Sequence, residues 1–87
     1  MPRYRYVIDE DAATALLASE DAQIVPLLAA IEAIAEAPEA RPDSHSVDAQ
    51  GRPVANRIAG KYLIGYWVGH ETRTLYILRI DPLDLDA

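Results

Sequence analysis

Apolar residues near the N-terminus recur with two different periods. Residues 3–8 alternate, with tyrosine and isoleucine on one side and arginine and valine on the other, which is the pattern of a β-strand. From Asp9 to Pro38, apolar residues recur at three- and four-residue steps in two runs, separated by the polar segment "SED" at 19–21. This pattern predicts two helices, the first beginning at Asp9 and the second ending before Pro38. We expect Pro26 in the first turn of the second helix, where a missing N–H is tolerated.

The second half of the chain has the pattern of a loop followed by strands. Residues 38–53 contain three prolines and no apolar periodicity, which predicts a loop. Strands are predicted after it at 54–60, 61–68 and 73–80, with a hairpin turn at 69–72 and with Pro82 ending the last strand. The order of elements, β-α-α-β-β-β, predicts an α+β fold in which a helical hairpin packs on a small antiparallel sheet.

Length and composition place the chain among small globular domains. It has 87 residues, of which 51% are hydrophobic, so we expect a single domain over residues 1–87. It contains no cysteine, which excludes disulfides and thiolate metal sites. No apolar run reaches membrane-spanning length, and the N-terminal segment lacks the apolar core of a signal peptide. We therefore expect a soluble, cytoplasmic protein that does not act at a membrane.

Charge is distributed unevenly along the chain. Residues 1–48 carry ten acids against three arginines, a net charge of −7, whereas residues 49–80 carry five basic residues against Glu71, a net charge of +4. Residues 81–87 add three aspartates and are predicted to form a flexible acidic tail. The total of −6 argues against general nucleic-acid binding. The basic stretch still allows one anion-facing surface, or it reflects the preference of acids for helix surfaces and of arginines for strand edges.

Two polar motifs invite a catalytic or metal-binding interpretation. "DSHSVD" at 43–48 contains the residue types of a Ser-His-Asp triad, but nothing nearby supplies a strained nucleophile turn or an oxyanion hole. His45 and His70 lack the spacing of metal ligands. Solvated loops are the favoured interpretation of both motifs, and we expect neither a metal nor a cofactor.

The strand at 61–68 presents two different faces. Tyr62, Ile64, Tyr66 and Val68 point to one side, and Leu63, Gly65 and Trp67 point to the other. One side must pack on the helices, but the alternation does not say which. Because Gly65 lacks a side chain in mid-strand, we expect a bulge or a close packing neighbour there. The aromatic residues fit either core packing or contact with a protein partner.

Three segments resemble one protein family. They are "AAIEAIAEAP" (29–38), a helix end closed by proline, "GRPVANRIAGKYLIGYWV" (51–68), a Gly-Arg loop and a "G-x-Y-x-I-x-Y" strand, and "TLYILRID" (74–81), a last strand. With the order of elements and the chain length, they resemble the RelE/ParE superfamily, the toxins of bacterial type II toxin–antitoxin pairs. The resemblance implies a cognate antitoxin as partner. The expected assembly is either a hetero-oligomer of toxin and antitoxin or a homo-oligomer of this chain. The residues expected to contact a partner are Arg52, Tyr62, Tyr66, Trp67 and Arg79.

The activities of that family divide into two groups. RelE-type members cleave mRNA on the ribosome with basic side chains and a stacking aromatic residue, whereas ParE-type members poison DNA gyrase. The cleaving members place an arginine where this chain has Lys61 and Tyr62, and further basic residues where this chain ends in "DPLDLDA".

The resemblance is therefore closer to the ParE-like members, with gyrase as the expected target, although "IDPLD" replaces the usual ParE ending. Two alternatives stay open. One is a RelE-type mRNA interferase with Arg57, Lys61 and Arg79 as a substitute catalytic set. The other is a non-toxic, protein-binding domain of the same fold.

Overall fold

Two helices cover one face of a five-stranded sheet in the computed structural model, which describes residues 3–83. The elements are β1 (Arg5–Ile8), α1 (Glu10–Ala18), α2 (Asp21–Glu36), β2 (Ser44–Val47), β3 (Pro53–Ala59), β4 (Tyr62–Gly69) and β5 (Thr74–Pro82). The predicted α+β class and the succession of a strand, two helices and further strands are confirmed.

The sheet is mixed, whereas the sequence predicted an antiparallel one. Its strand order is β1-β5-β4-β3-β2, with β1 parallel to β5 and every other neighbouring pair antiparallel. The helical hairpin carries the chain from β1 to the opposite edge of the sheet, where β2 begins. Three antiparallel steps then bring β5 back beside β1, and the two strands run in the same direction. Alternation along β1 indicates a strand but carries no information about its direction.

The predicted loop at 38–53 contains a strand, β2, and that prediction is wrong over Ser44–Val47. This strand pairs antiparallel with β3 at the edge of the sheet. Three of its four side chains are exposed and the other is only partly buried. Pairing of its backbone with one neighbour holds it in place, so no apolar alternation marks it in the sequence.

The helix boundaries follow the predicted stop signal more closely than the predicted start. α2 ends at Glu36, and the N–H of Ala37 donates to the carbonyls of Ala33 and Ile34, so Pro38 ends the helix as predicted. α2 begins at Asp21, which places Pro26 beyond the first turn, contrary to the prediction. The reason is that the helix starts ahead of its apolar stripe. Neither helix within residues 3–83 is long and apolar enough to cross a membrane.

The core lies between the helices and one face of the central strands. Its buried members are Ala12, Leu27, Ile31, Ile34, Ala35, Ile64, Tyr66, Leu75, Ile77 and Ile80. Tyr62 and Val68 pack against this cluster, so the Tyr62–Val68 side of β4 is the helix-covered one. Leu63, Gly65 and Trp67 therefore lie on the opposite face of the sheet.

A β-bulge interrupts the pairing of β4 with β5, which is one of the two alternatives that the glycine in mid-strand predicted. Gly65 pairs with Arg79 and Tyr66 pairs with Ile77, which leaves Leu78 as the extra residue. Because of this extra residue, Ile77 and Ile80 are both buried on the helix side although they are three positions apart. Leu78 and Arg79 then share the other face.

The last strand runs further than predicted. Asp81 and Pro82 belong to β5, and the N–H of Leu83 donates to the carbonyl of Lys61 at 2.7 Å. The first three residues of the predicted flexible tail therefore continue the sheet, because pairing with β4 extends to Pro82. The remainder of that prediction, residues 84–87, lies outside the described residues.

Candidate functional site

One face of the sheet has no helix packed on it, and we call it the uncovered face. Its side chains on the three central strands are those of Val54, Asn56, Ile58, Leu63, Trp67, Thr74, Tyr76, Leu78, Arg79 and Asp81. Ile58 is 54% exposed and Trp67 is 39% exposed. Trp67 lies beside Tyr76, with the ring centroids 5.4 Å apart. These rings border a recess of about 430 Å³ at the β4–β5 hairpin.

A second recess, of about 460 Å³, is lined by residues from both edges of the sheet, and we call it the acidic groove. Its charged lining residues are Asp9, Asp11, Asp48, Arg52, Arg79 and Asp81. Val54 and Leu78 contribute apolar surface. Because residues near β1 and in the β2–β3 hairpin line the same space, the sheet curves around this face. The groove therefore contains four carboxylates and two guanidinium groups.

Both arginines of the acidic groove are already paired with neighbouring carboxylates. The Nε of Arg52 donates to Oδ2 of Asp48 at 2.7 Å, and the guanidinium of Arg79 donates to the carboxylate of Asp81. Asp9 and Asp11 form no ion pair among residues 3–83. The uncompensated charge of the groove is thus negative.

Asp48 organises the hairpin loop that borders the groove. Its Oδ1 accepts the N–H of Arg52 at 2.8 Å and the N–H of Gln50 at 2.9 Å. The backbone N–H of Arg52, followed by its guanidinium and by the N–H of Gln50, holds the pKa of Asp48 below its usual value. Gly51, with φ of +81°, supplies the left-handed residue that the loop requires.

Arg79, Gly65 and Asn56 are neighbours on the uncovered face. A Cβ on Gly65 would lie 2.5 Å from Cγ of Arg79 and 3.3 Å from Oδ1 of Asn56, so the methylenes of Arg79 cross directly over the glycine. Asn56 is 4% exposed, and its Nδ2 donates to Oγ of Ser46 at 3.1 Å. Its Oδ1 is buried and has no hydrogen-bond partner, which is costly for an amide oxygen.

Two solved structures share this architecture over nearly their whole length. One is the archaeal RelE–RelB complex from Pyrococcus horikoshii, with a TM-score of 0.74 and 19% identity over 93% of this chain and 96% of that chain. The other is the RelBE2 toxin–antitoxin complex from Mycobacterium tuberculosis, with a TM-score of 0.77 and 17% identity over 94% of this chain and 93% of that one. The chain has the RelE/ParE fold. No protein-family model matches the sequence, and no curated protein matches it.

Within this RelE/ParE fold, the residues predicted to contact a partner divide between the two faces. Arg52, Trp67 and Arg79 lie on the uncovered side or at its groove. Tyr62 is half-buried against the core, and Tyr66 is a core residue that is 1% exposed. The side chain of Tyr66 cannot touch a partner while the core is intact.

The three basic residues suggested as a catalytic set are not brought together. Arg57 is paired with Ile64 across the sheet and so points to the helix side, where its Nη2 donates to the carbonyls of Ala40 and Arg41 at 3.4 and 3.2 Å. Lys61 is exposed in the β3–β4 turn. Arg79 is on the opposite face and is paired with Asp81. Arg57 therefore anchors the loop after α2.

Other residues of the uncovered face of this RelE/ParE fold were missed by sequence reasoning. Asp9 was interpreted only as the start of a helix, and Asp11 was given no role at a site. Asn56 carries the one available signal, a polar residue two positions after Val54 on the same side of a strand. Of the histidines, His70 lies within 3.0 Å of the Tyr4 hydroxyl through Nδ1. Within residues 3–83, no group of three or more potential ligands gathers to hold a metal ion.

Proposed function

We propose that this chain is the toxin-like component of a type II toxin–antitoxin pair and that a cognate antitoxin neutralises it by binding. The observation that carries this proposal is the likeness in fold, over more than nine-tenths of this chain, to structures of a RelE–RelB and a RelBE2 complex. The uncovered face supports it further, because exposed apolar side chains such as Trp67 and Ile58 are suited to protein contact.

An antitoxin has two kinds of surface available here. A helix can pack on the aromatic pair Trp67 and Tyr76, where a recess already exists. An extended segment can also add to β2, since this strand forms one edge of the sheet and its backbone groups on that side are open to pairing.

The positions of the basic residues favour a toxin that does not cleave RNA. Ribonuclease chemistry needs cationic groups converging on one phosphate, whereas Arg57 and Arg79 lie on opposite faces and each is already engaged. DNA gyrase is the proposed target on the family resemblance. The mRNA interferase and the non-toxic binding domain are the alternatives.

Growth and complex formation test the proposal together. We expect expression of the chain alone to inhibit growth, and co-expression with the product of the adjacent reading frame to restore growth and yield a stable complex. Loss of supercoiling by gyrase in the arrested cells would indicate gyrase as the target. Translation-dependent cleavage of mRNA would indicate the mRNA interferase instead.

A matched pair of variants locates the antitoxin contact. Trp67→Ala should weaken the complex at least about tenfold, as a central aromatic contact does, whereas Val25→Ala, an exposed apolar change on α2, should not. Normal growth on expression alone, combined with no complex, would contradict the proposal.

A further inference from the structure

Arg79 lies between two hydrogen-bond acceptors of this chain and is paired with one of them. Its guanidinium donates to the carboxylate of Asp81. The two side chains of this pair are 53% and 45% exposed. An exposed ion pair contributes little to stability and weakens as salt is added. Arg79 is therefore held only loosely in its present position.

The second acceptor is the amide oxygen of Asn56, which has no partner. Asn56 is 4% exposed, and its Oδ1 is buried without a hydrogen bond. Its Nδ2 donates to Oγ of Ser46 at 3.1 Å. The opposite orientation of the amide would turn an N–H group toward the cationic side chain of Arg79, where it would meet no acceptor. Because a buried carbonyl oxygen is costly to leave unpaired, Oδ1 requires a donor.

Gly65 brings the stem of Arg79 and this oxygen to the same place. A Cβ on Gly65 would lie 2.5 Å from Cγ and 3.0 Å from Cδ of Arg79, and 3.3 Å from Oδ1 of Asn56. Because glycine has no side chain, the space above it is left to these atoms. Nε is bonded to Cδ, so rotation about the Cγ–Cδ bond swings the Nε–H group toward Oδ1 with the backbone unchanged.

We propose that Arg79 has two positions and switches between them when its pairing with Asp81 is weakened. In the outward position the guanidinium neutralises Asp81 in the acidic groove. In the inward position it lies over Gly65, and its Nε–H donates to Oδ1 of Asn56. The switch unmasks the carboxylate of Asp81 and moves a positive charge onto the middle of the uncovered face. Arg79 has these two positions whether or not the chain is a toxin.

Salt acts on the two positions in opposite ways. It screens the exposed pair with Asp81, but it has little effect on a hydrogen bond to a buried amide. An ordinary surface arginine becomes freer as salt rises, because its ion pair is lost. Arg79 should instead become more ordered, because the inward acceptor takes over.

Nuclear magnetic resonance of the isotope-labelled full chain in sodium chloride tests the switch. Exchange of the Arg79 Nε–H proton with water should slow about threefold or more between low salt and about 1 M, where the Debye length is about 3 Å. The Cγ resonance of Asn56 should shift over the same range, because its carbonyl gains a hydrogen bond. The Nε–H of Arg52, which donates to Asp48, is the internal control and should exchange faster as salt rises.

Two variants of equal charge separate this switch from general electrostatics. Asp81→Ala should slow exchange of the Arg79 Nε–H at low salt as much as high salt does in the unaltered chain, since only the inward acceptor is left. Glu71→Ala, an exposed change in the β4–β5 turn, should alter this rate less than about twofold because that charge lies away from Arg79. Asn56→Leu should abolish the slowing by salt. Circular dichroism checks that each variant is folded.

Faster exchange of the Arg79 Nε–H at high salt, in parallel with that of Arg52, would overturn the inference. So would an Asn56 Cγ resonance that does not move, or unchanged exchange in Asp81→Ala. The salt measurement on the unaltered chain decides the matter even if a variant does not fold. Because no partner is present in these measurements, their outcome is independent of the growth and complex test of the proposed function.

Discussion

The two faces of the same sheet are built from alternate residues of the same strands and yet differ in almost every physical property. On β4, Ile64 and Tyr66 are at most 1% exposed beneath the helices, whereas Trp67, the next residue, is 39% exposed on the other side. The covered face is made almost entirely of aliphatic side chains with Tyr66 among them. The uncovered face carries Arg79 and Asp81 of the acidic groove and the unpartnered amide of Asn56. The comparison teaches that stability and binding can be altered separately in this fold.

The largest effect should come from a cavity on the covered face. Ile64→Ala should lower the free energy of unfolding by about 2–5 kcal/mol, since it removes a buried side chain whose neighbours cannot fully collapse. Ile58→Ala, on the uncovered face and 54% exposed, should lower it by less than about 1 kcal/mol. Urea denaturation followed by circular dichroism measures both. Equal losses would mean that a second layer covers the uncovered face in solution.

Sequence reasoning reached the covered face because burial imposes a period there. The stripe of α2 and the alternation of β4 both reflect contact with the core, so the helices and the central strands were predicted. The edge strand β2 carries no such period, because its side chains are largely exposed, and it was missed. The edge strand β1 alternates and was predicted as a strand, but nothing in its sequence shows that its neighbour runs parallel.

The acidic groove was harder to predict because it depends on curvature of the whole sheet. Asp9 and Asp48 come from opposite edges and meet only across the uncovered face. The sequence did point to Trp67, Arg52 and Arg79. It grouped Arg57 with Arg79 because their charges are alike, and only the pairing with Ile64 shows that they lie on different faces.

An intermediate effect should follow from filling the space above Gly65. Gly65→Ala should lower the free energy of unfolding by about 1–2 kcal/mol, because its Cβ would be 2.5 Å from Cγ of Arg79 and the arginine must leave its present position. In an Arg79→Ala background the same change should lose little, since Cγ is gone. The double-mutant cycle is measured by urea denaturation. A loss that persists in this background would place the conflict in the backbone of the bulge and not in the side chain of Arg79.

The smallest effect should come from Asp48 and should depend on pH. Its folded-state pKa lies below the usual 3.8, so its contribution to stability is complete above that value and is lost as the pH falls through the lowered folded-state pKa. Asp48→Asn should therefore lower the urea midpoint slightly at neutral pH, and the difference from the unaltered chain should shrink in acid. Glu39→Gln, an exposed change elsewhere, is the control. A difference that does not vary with pH would assign the role of Asp48 to loop geometry that asparagine cannot reproduce, and not to its charge.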